Sequence, residues 1–585
     1  MKKLFVLALS VFIITLTTGC RKTETEQNPP DSFADCLILG NIITMDEENP
    51  YAEAVAVSNG IILYVGSRQE AQKYCTERTR VLDYGRNSVY PGFIEGHLHG
   101  MEVAVRTQQL DLSDLDAILT TEMQDFLDRI AEYVQNNPQL DLYKGAGWSV
   151  KNGVYPTAAM LDEICNTKPM IMSSVDGHSM WINTVAIERY GVSDPANIQK
   201  YGTNCIRVDE SGYPTGYISE AAMDLVRPAL ALSKMEYKKG LLEWQAMAFS
   251  YGITSVVEAA LPINTVPIQE AFNELAEDGI WKLRTYAFEV VQYPDPYEQF
   301  LNDLNTIKRD FNRYKGEYFK VCGIKIFMDG VVEAHTAWLS EPYADNPSDY
   351  GLQAFPNPDR ITEAVRFANS NGMSAHFHTI GDAAIRTAAD CIIEAQNQTG
   401  ITDARNTMAH LQIVKAAEIK KMGDNNIIPV VAPLWVSIEP GYFAHELEYL
   451  GADRAYSQYP IKSFFDKNCK VTFHSDFPVS PDISMPHTIY AAVTRTDEFL
   501  GPAGVNNINE AVTREQALKA VTVNAAYQLK EENRLGKLKK NYVANMSVFD
   551  ADFLRDDLSR VSNSMVVATI VDGNEVYPMQ ALARF

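Results

Sequence analysis

Two histidines separated by one residue, His97 and His99, lie in the segment VYPGFIEGHLHG. In an extended strand, side chains two positions apart point to the same face, so the two imidazoles would converge on one point. Imidazole nitrogen is a good ligand for zinc and similar divalent metals. An isolated His-x-His also occurs by chance on surface strands, so the other polar residues of the chain decide between these interpretations.

Further metal-binding residue types follow short apolar runs later in the chain. They are Lys325 and Asp329 in GIKIFMDG, His376 and His378 in GMSAHFH, His410 in RNTMAHLQ, and His474 and Asp476 in CKVTFHSD. A single histidine in such a position is often a core residue with satisfied hydrogen bonds. Several histidines together with an aspartate instead indicate a metal centre of the zinc type.

The apolar runs that carry these residues alternate with helical stretches, which predicts βα units. The candidate strands are VYPGFIEGH, GITSVVEA, WKLRTYAFEV, FKVCGIKIFMDG, GMSAHFH, RNTMAHLQ, IIPVVAP and CKVTFHSD. Eight parallel strands with intervening helices close into a barrel whose active site lies at the carboxyl ends of the strands. The predicted fold class is therefore α/β, with a (β/α)8 TIM barrel over residues 91–525.

Two additions to this barrel are expected. About 150 residues separate His99 from Gly252, which is more than one barrel helix needs, so an insertion at about 101–245 should cover the barrel mouth. Both ends of the chain contain short β runs with tight-turn signals. We expect residues 34–90 and 526–585 to form one small β-sandwich domain together.

Composition limits the classes of function. The 585-residue chain is 46% hydrophobic and has a net charge of −24, so it can bury a large core but is poorly suited to bind nucleic acid or an anionic membrane surface. Its cysteines are scattered and include no C-x-x-C pair. Neither a disulfide framework nor a thiolate zinc site is indicated, and a metal would have to be held by histidine and carboxylate.

The first residues have the pattern of an export signal. Lys2 and Lys3 precede the apolar run Leu4–Leu16, which is shorter than the roughly 20 residues of a membrane span. We therefore expect this segment to direct export and to be removed from the mature protein.

The signal ends in LTTGC, which resembles a lipoprotein signal in which Cys20 is lipidated, although Thr17 stands where leucine is usual. An ordinary secretory signal is the alternative. We expect residues 1–20 to be a lipoprotein signal peptide and residues 21–33 a polar tether. The mature protein would then be anchored by its lipid at the bacterial cell envelope, facing the periplasm or the cell surface.

As a set, the motifs of the chain resemble the amidohydrolase superfamily, and in finer detail its branch that contains N-substituted formamide deformylase. The matching segments are PGFIEGHLH, VDGHSMWINTVAI, PTGYISEAAM, GITSVVEAA, IKIFMDG, FHTIGDAAI, MAHLQIV and HSDFPVSP. They run from about Val89 to Pro481, with weaker matches in both flanks. As a set, these motifs are highly specific for that family. Taken one at a time, only GHLH and FHTIGDAAI are specific for it.

The resemblance implies a site for one or two divalent metals, with zinc as the expected ion. The implied ligands are His97, His99 and Asp476 for the first metal, and Lys325, His378 and His410 for the second. Lys325 would be carboxylated on Nζ, because a free ammonium has no lone pair with which to bind a metal.

Two of the implied roles are catalytic. Asp476 would take a proton from the attacking water and pass it to the leaving amine. His178, in DGHSMWI, would reach the substrate or the oxyanion, and a purely structural role in its turn is an equal alternative.

The chain departs from the family pattern near the expected pocket. Glu95 and Glu258 stand where aspartate is more usual, and Glu333 and His335 follow IKIFMDG where a small residue and an arginine are usual. None of these departures removes an implied metal ligand, but they leave the substrate preference open.

The expected activity is metal-dependent hydrolysis of a C–N bond in a small amide, formamide or cyclic imide. A catalytically silent substrate-binding lipoprotein on the same fold is the alternative, and an intracellular nucleobase deaminase fits poorly with export. The expected partners are a small-molecule substrate and, through the lipid alone, a membrane. The oligomeric state stays open, with a homodimer as one alternative.

The lipoprotein hypothesis predicts that Cys20→Ala releases the protein into a soluble fraction or leaves its signal uncleaved. Fractionation with mass analysis of the mature N-terminus measures both. Processing and fractionation identical to wild type would show that Cys20 carries no lipid and that only secretion remains.

Overall fold

The computed structural model describes residues 32–116, 122–151, 155–174, 178–263, 266–292 and 295–578. The predicted signal peptide, Cys20 and most of the tether lie outside them. No helix within the described ranges is long and apolar enough to cross a membrane.

In chain order the strands of these ranges are β1 Cys36–Ile43, β2 Tyr51–Ser58, β3 Ile61–Gly66, β4 Arg80–Pro91, β5 Phe93–Leu98, β6 Leu110–Asp111, β7 Tyr143–Trp148, β8 Met170–Ser174, β9 Ser179–Ile182, β10 Ile206–Val208, β11 Pro214–Ser219, β12 Ile253–Leu261, β13 Arg284–Val290, β14 Phe319–Phe327, β15 Ser374–Thr379, β16 Thr407–His410, β17 Ile428–Val431, β18 Thr472–Phe473, β19 Met546–Phe549, β20 Val566–Val571 and β21 Asn574–Tyr577.

Helices cover the outer face of the barrel and the flanks of the two other sheets. The α-helices are Arg68–Ala71, Gly100–Arg106, Ser113–Asp116, Met123–Asn136, Ala158–Asp162, Thr184–Arg189, Pro195–Tyr201, Arg227–Leu230, Lys234–Ser250, Val266–Glu277, Tyr297–Arg313, Pro358–Ser370, Asp382–Thr399, Ala416–Asp424, Pro440–Leu450, Ala452–Ala455, Ile461–Asp466, Met485–Thr494, Arg514–Ala520, Val523–Gln528 and Leu558–Ser562.

The barrel consists of β5 and β12 to β18, which lie side by side in chain order. Neighbouring strands are parallel, and each is one of the eight strands that the sequence predicts. The (β/α)8 fold is thus confirmed. Its strands are buried on both faces, as expected for a parallel sheet that is covered by helices.

The first and last strands of the barrel are joined by hydrogen bonds just beyond their ends. Asp476 N donates to His97 O at 3.2 Å, and His99 N donates to Phe477 O at 2.8 Å. Ser475 N donates to the Glu95 carboxylate at 3.0 Å. The residues that bring the two ends of the barrel together are therefore the metal-binding candidates and their immediate neighbours.

The insertion forms a separate six-stranded sheet in the order β10-β11-β9-β8-β7-β6. Trp148 and Trp181 are fully buried and meet edge to face at 6.0 Å, so both belong to the core of the insertion. The helix Lys234–Ser250 runs through the boundary predicted near residue 245. It returns to the barrel and packs on the helix Gly100–Arg106 so closely that a Cβ on Gly240 would lie 2.0 Å from Ala104 O.

The two ends of the chain share a seven-stranded sheet in the order β21-β20-β19-β4-β1-β2-β3. The predicted β-sandwich takes the form of this one sheet, which curls so that Ile61 forms an isolated bridge with Val543. The boundary predicted between residues 525 and 526 falls inside the helix Val523–Gln528. Arg284 of the barrel strand β13 is buried and pairs with Asp572 of the terminal sheet at 2.6 Å, which links the two units.

Candidate metal centre

The structure brings the first three implied ligands to one point. Asp476 Oδ1 lies 3.0 Å from His97 Nε2 and 3.2 Å from His99 Nε2. Candidate ligand atoms of His97, His410 and Asp476 all lie within 4.8 Å of one another. These three residues come from β5, β16 and the end of β18, so the carboxyl ends of three barrel strands converge here, as the barrel architecture requires.

The local backbone directs two of these side chains inward. His410 and Asp476 have φ angles of 75° and 61°, in the left-handed region that non-glycine residues adopt at a cost. Such conformations cluster at functional sites, where the surrounding structure holds them. His410 is the last residue of β16, whereas Asp476 lies three residues after the end of β18.

The remaining implied ligands lie beside this group. The imidazoles of His378 and His410 are 4.5 Å apart between ring centroids. His378 Nε2 lies 3.1 Å from Gly330 O, which orients the ring. Lys325 is fully buried on β14, and its register partner on β15 is His376.

Several buried polar atoms of the group have no hydrogen-bond partner among the described residues. They are His97 Nε2, Lys325 Nζ, His410 Nδ1, Asp476 Oδ1 and both ring nitrogens of His474. Buried polar atoms are normally hydrogen-bonded, and each exception costs about 1–3 kcal/mol. Lone pairs that converge without bonding to one another are the arrangement that metal ligands require, so the donor set fits a divalent ion of the zinc type.

Burial sets the protonation state of the histidines. It lowers the pKa of His97, His376 and His410 well below the usual value. It lowers the pKa of His378 and His474 to about 4. The imidazoles are therefore neutral at neutral pH, which is the form that binds a metal.

The pKa values of the two implied ligands that are not histidines, Asp476 and Lys325, respond differently to the same environment. Burial opposes ionisation of Asp476, but the positive charge that the neighbouring imidazoles, led by His410, acquire when they are protonated outweighs burial and holds the pKa of this carboxyl below its usual range. Burial lowers the pKa of Lys325 to about 7. Lys325 is thus a neutral amine in a substantial fraction of molecules at neutral pH, whereas Asp476 stays a carboxylate.

Two buried glutamates hold the backbone around the centre. Glu95 accepts hydrogen bonds from His97 N and Ser475 N, and Glu258 accepts one from Met101 N at 2.8 Å. Burial raises the pKa of Glu95 to about 8 and that of Glu258 to about 7. These glutamates, which depart from the family pattern in sequence, act as supports for the ligand-bearing loops.

Asp329 supports the loop after β15. Its carboxylate accepts hydrogen bonds from the backbone N–H groups of Trp338, Ile380 and Gly381 at 2.8–3.1 Å. Burial raises the pKa of Asp329 to about 7. This aspartate lies 3.8 Å from His378 Nε2, so it fixes both the loop and the neighbourhood of one implied ligand.

Two further histidines belong to the group although they are absent from the implied ligand set. His376 Nε2 lies 2.6 Å from His97 Nδ1, and His376 Nδ1 lies 2.6 Å from Thr407 Oγ1. This chain holds the ring of His97 so that Nε2 faces Asp476, the role that outer residues play in metal sites. His474 lies 5.0 Å from both His97 and His410 between ring centroids.

Sequence signals for these additional residues differ in strength. The two-residue strand period places His376 on the face of His378 and His474 on the face of Asp476, so both positions could be inferred as neighbours of the ligands. Trp435, which stacks on His410 with ring centroids 5.4 Å apart, follows β17 and has no signal of this kind in the sequence.

Two residues singled out from the sequence lie elsewhere. The His178 imidazole is 70% exposed and pairs with Glu220 at 3.2 Å; its catalytic role stays a prediction. His335 lies between Asp345 and Asp349 and stacks on a tyrosine, so it belongs to the loop after β14 and not to the ligand group.

Comparison with known proteins agrees with this fold and site. The profile of the amidohydrolase family matches residues 80–577, and the chain belongs to this family. A putative amidohydrolase, YtcJ of Bacillus subtilis (strain 168), is 26% identical over 554 residues, covering 92% of this chain and 98% of its own. N-substituted formamide deformylase of Arthrobacter pascens is 24% identical over 553 residues, covering 92% and 97%.

A solved structure gives the same picture of the fold. An uncharacterized metal-dependent hydrolase from Pyrococcus furiosus superposes with a TM-score of 0.70 at 23% identity, covering 89% of this chain and 100% of its own. The likeness therefore extends over the barrel, the insertion and the terminal sheet.

The His376–Thr407 contact can be tested as a support for the metal ligands. Thr407→Val keeps the shape of a fully buried residue but removes the hydroxyl beside His376 Nδ1, so metal affinity should fall about 10–100-fold. Competition with a chelator measures this. Thr472→Val is the matched control, because Thr472 is equally buried on β18 and its hydroxyl has no partner among the described residues. Equal metal affinity in the two variants would show that Thr407 does not support the centre.

Proposed function

We propose that this protein is a zinc-type metalloenzyme that hydrolyses a C–N bond in a small amide, formamide or cyclic imide. The observation that carries the proposal is the carboxylate of Asp476, which is buried among neutral imidazoles with unpartnered ring nitrogens at the carboxyl end of the barrel. The similarity to a protein named N-substituted formamide deformylase supports the choice of a C–N bond.

His97, His99 and Asp476 are the residues that would hold one metal, and Lys325, His378 and His410 a second. A divalent ion in this place acidifies bound water and polarises a carbonyl. Lys325 suits carboxylation, because a buried amine that is neutral in a substantial fraction of molecules and has no hydrogen-bond partner among the described residues can attack carbon dioxide and release a proton. The resulting carbamate would place a negative charge where the free amine has none.

Asp476 is the group that we assign to proton transfer. Its pKa below the usual range keeps it ionised at neutral pH, so it can accept a proton from attacking water and pass it to the leaving nitrogen. His97 and His99, both within 3.2 Å of Oδ1, fix the position of that oxygen. His376 holds His97 in turn, so the base is held through two contacts.

The alternative is a substrate-binding lipoprotein that has lost turnover. A binding protein has no need of a buried carboxylate base, whereas hydrolysis does, and this favours the enzyme. We further propose that the protein works at the cell envelope through a lipid on Cys20. Turnover of a panel of N-formyl, N-acyl, cyclic imide and lactone compounds distinguishes the enzyme from the binder.

The metal centre predicts that purified protein contains one to two equivalents of zinc or another first-row metal. Lys325→Ala should lose metal and activity, and short carboxylic acids should partly restore both. With carbon-13 bicarbonate, wild type should show a carbamate resonance that Lys325→Ala lacks. Full hydrolytic activity in metal-free protein would refute the proposed centre.

Asp476→Asn separates proton transfer from metal binding. Asparagine keeps the size and one oxygen donor but is not a usable base, so kcat should fall by about 10²–10⁴-fold while metal content falls modestly. The limb of the pH–rate profile that reports protonation of this base should lie below the usual range of a carboxyl in wild type, and it should disappear in the variant. Asp482→Asn is the control, since Asp482 pairs with His487 outside the centre. Nearly normal kcat with an unchanged acidic limb in Asp476→Asn would remove Asp476 from the mechanism.

A further inference from the structure

A second cavity lies at the other end of the barrel. It has a volume of about 350 Å³ and is lined at the amino ends of β14 and β15 and by the segment after the helix Val523–Gln528. The metal-binding candidates lie at the carboxyl ends of the same strands. This volume falls within the range of roughly 300–1,000 Å³ that small-ligand sites have.

The walls of this rear cavity are largely apolar. Phe288, Val321 and Leu529 are buried residues that line it, together with the partly buried Phe311 and Cys322. The Phe288 ring lies 5.1 Å from the ring of His376 and separates the cavity from the metal centre. A ligand would therefore bury apolar surface here without contact with the proposed metals.

The rim of the cavity is positively charged. Lys315, Lys320 and Lys530 line it with a single carboxylate, Glu531. Lys320 pairs with Glu531 at 2.7 Å, and Glu531 also pairs with Arg534 at 3.4 Å, so this carboxylate already serves two cations.

The other two rim lysines hydrogen-bond neutral oxygens. Lys315 Nζ donates to Asn312 Oδ1 at 3.1 Å, and Lys530 Nζ donates to Gly372 O at 3.1 Å. An ammonium has three donors, so each keeps capacity for an anion. A cationic rim of this kind stands out in a chain with a net charge of −24.

The deep end of the cavity is closed by a buried side chain. Gln528 lines the cavity and is only 3% exposed. Its Nε2 donates to Gly96 O at 2.9 Å, which fixes the side chain. A ligand would therefore meet a closed inner wall here.

We propose that the rear cavity is a binding site for a small carboxylate with an apolar body. The carboxylate contacts the ammonium groups of Lys315 and Lys530. The body packs against Phe288 and Leu529. This site is independent of the hydrolytic reaction proposed above and of its metal content.

The probe for this site is 4-hydroxybenzoate, which has the charge and the apolar body, titrated into the metal-loaded full-length protein by calorimetry. Saturating acetohydroxamate covers the metal centre, to which a carboxylate could also bind. One equivalent should bind under these conditions. The neutral amide 4-hydroxybenzamide, which lacks the charge, should bind about tenfold or more weakly.

Variants at the rim place the binding. Lys315→Gln and Lys530→Gln should each weaken binding of 4-hydroxybenzoate about tenfold or more, and Cys322→Leu should block it by filling the cavity. Lys467→Gln is the matched control, because Lys467 is an exposed lysine before β18 that does not line the cavity, and it should bind as wild type does. The midpoint of thermal unfolding, compared with wild type, checks that each variant folds.

Four results would each overturn the proposal. They are loss of all binding when acetohydroxamate is present, equal affinity for 4-hydroxybenzoate and its neutral amide, and unchanged affinity in folded Lys315→Gln, Lys530→Gln and Cys322→Leu proteins. The fourth is that calorimetry detects no binding of 4-hydroxybenzoate or benzoate at millimolar concentration, which would show that the cavity has no carboxylate ligand.

Discussion

Burial of the Asp476 carboxylate is the constraint that organises this molecule. A carboxylate removed from water is costly unless opposing charges and hydrogen bonds surround it. Here neutral imidazoles from β5 and β16 lie around it, and the proposed metal would supply the opposing charge. Each imidazole must in turn be held. His97 is held by His376, which is held by Thr407. The loops that present Asp476 and His97 are fixed by one shared carboxyl, Glu95. The contacts that fix Asp476 and His97 therefore involve residues from several strands around the barrel mouth.

The sequence was sufficient for the barrel because each of its strands is a short apolar run that ends in a polar residue. It was also sufficient for the gathering of His97, His99, His410 and Asp476, since parallel strands in a closed barrel present their carboxyl ends to one space. The strand period alone could not show which of His376 and His378 contacts His97, because it gives both side chains the same direction. Only packing decides that contact. The stacking of Trp435 on His410 was equally hidden, because it depends on how a loop folds back.

The three sheets of the chain have different roles. The barrel carries the chemistry, and the loop after β14, which contains Glu333 and His335, varies from the family pattern beside it. The insertion has its own aromatic core around Trp148 and Trp181, which is separate from the residues that surround the candidate metal centre. The terminal sheet is joined to the barrel by the buried Arg284–Asp572 pair. A common fold with variable loops explains why family membership defines the class of reaction and leaves the substrate open.

The hydrogen bonds that join β5 to the segment after β18 have a consequence for how the protein is made. Asp476 N and His97 O are close in space but lie at opposite ends of the barrel sequence, and contacts between such distant residues form slowly and late in folding. A ribosome that has released only the first seven strands has produced an open half-shell with an exposed sheet edge, a form prone to aggregation. The last strand delivers Asp476 and closes that edge in the same event. A chain that stops before β18 would therefore lack Asp476 and would keep an exposed sheet edge. Addition of β18 and the residues after it corrects both.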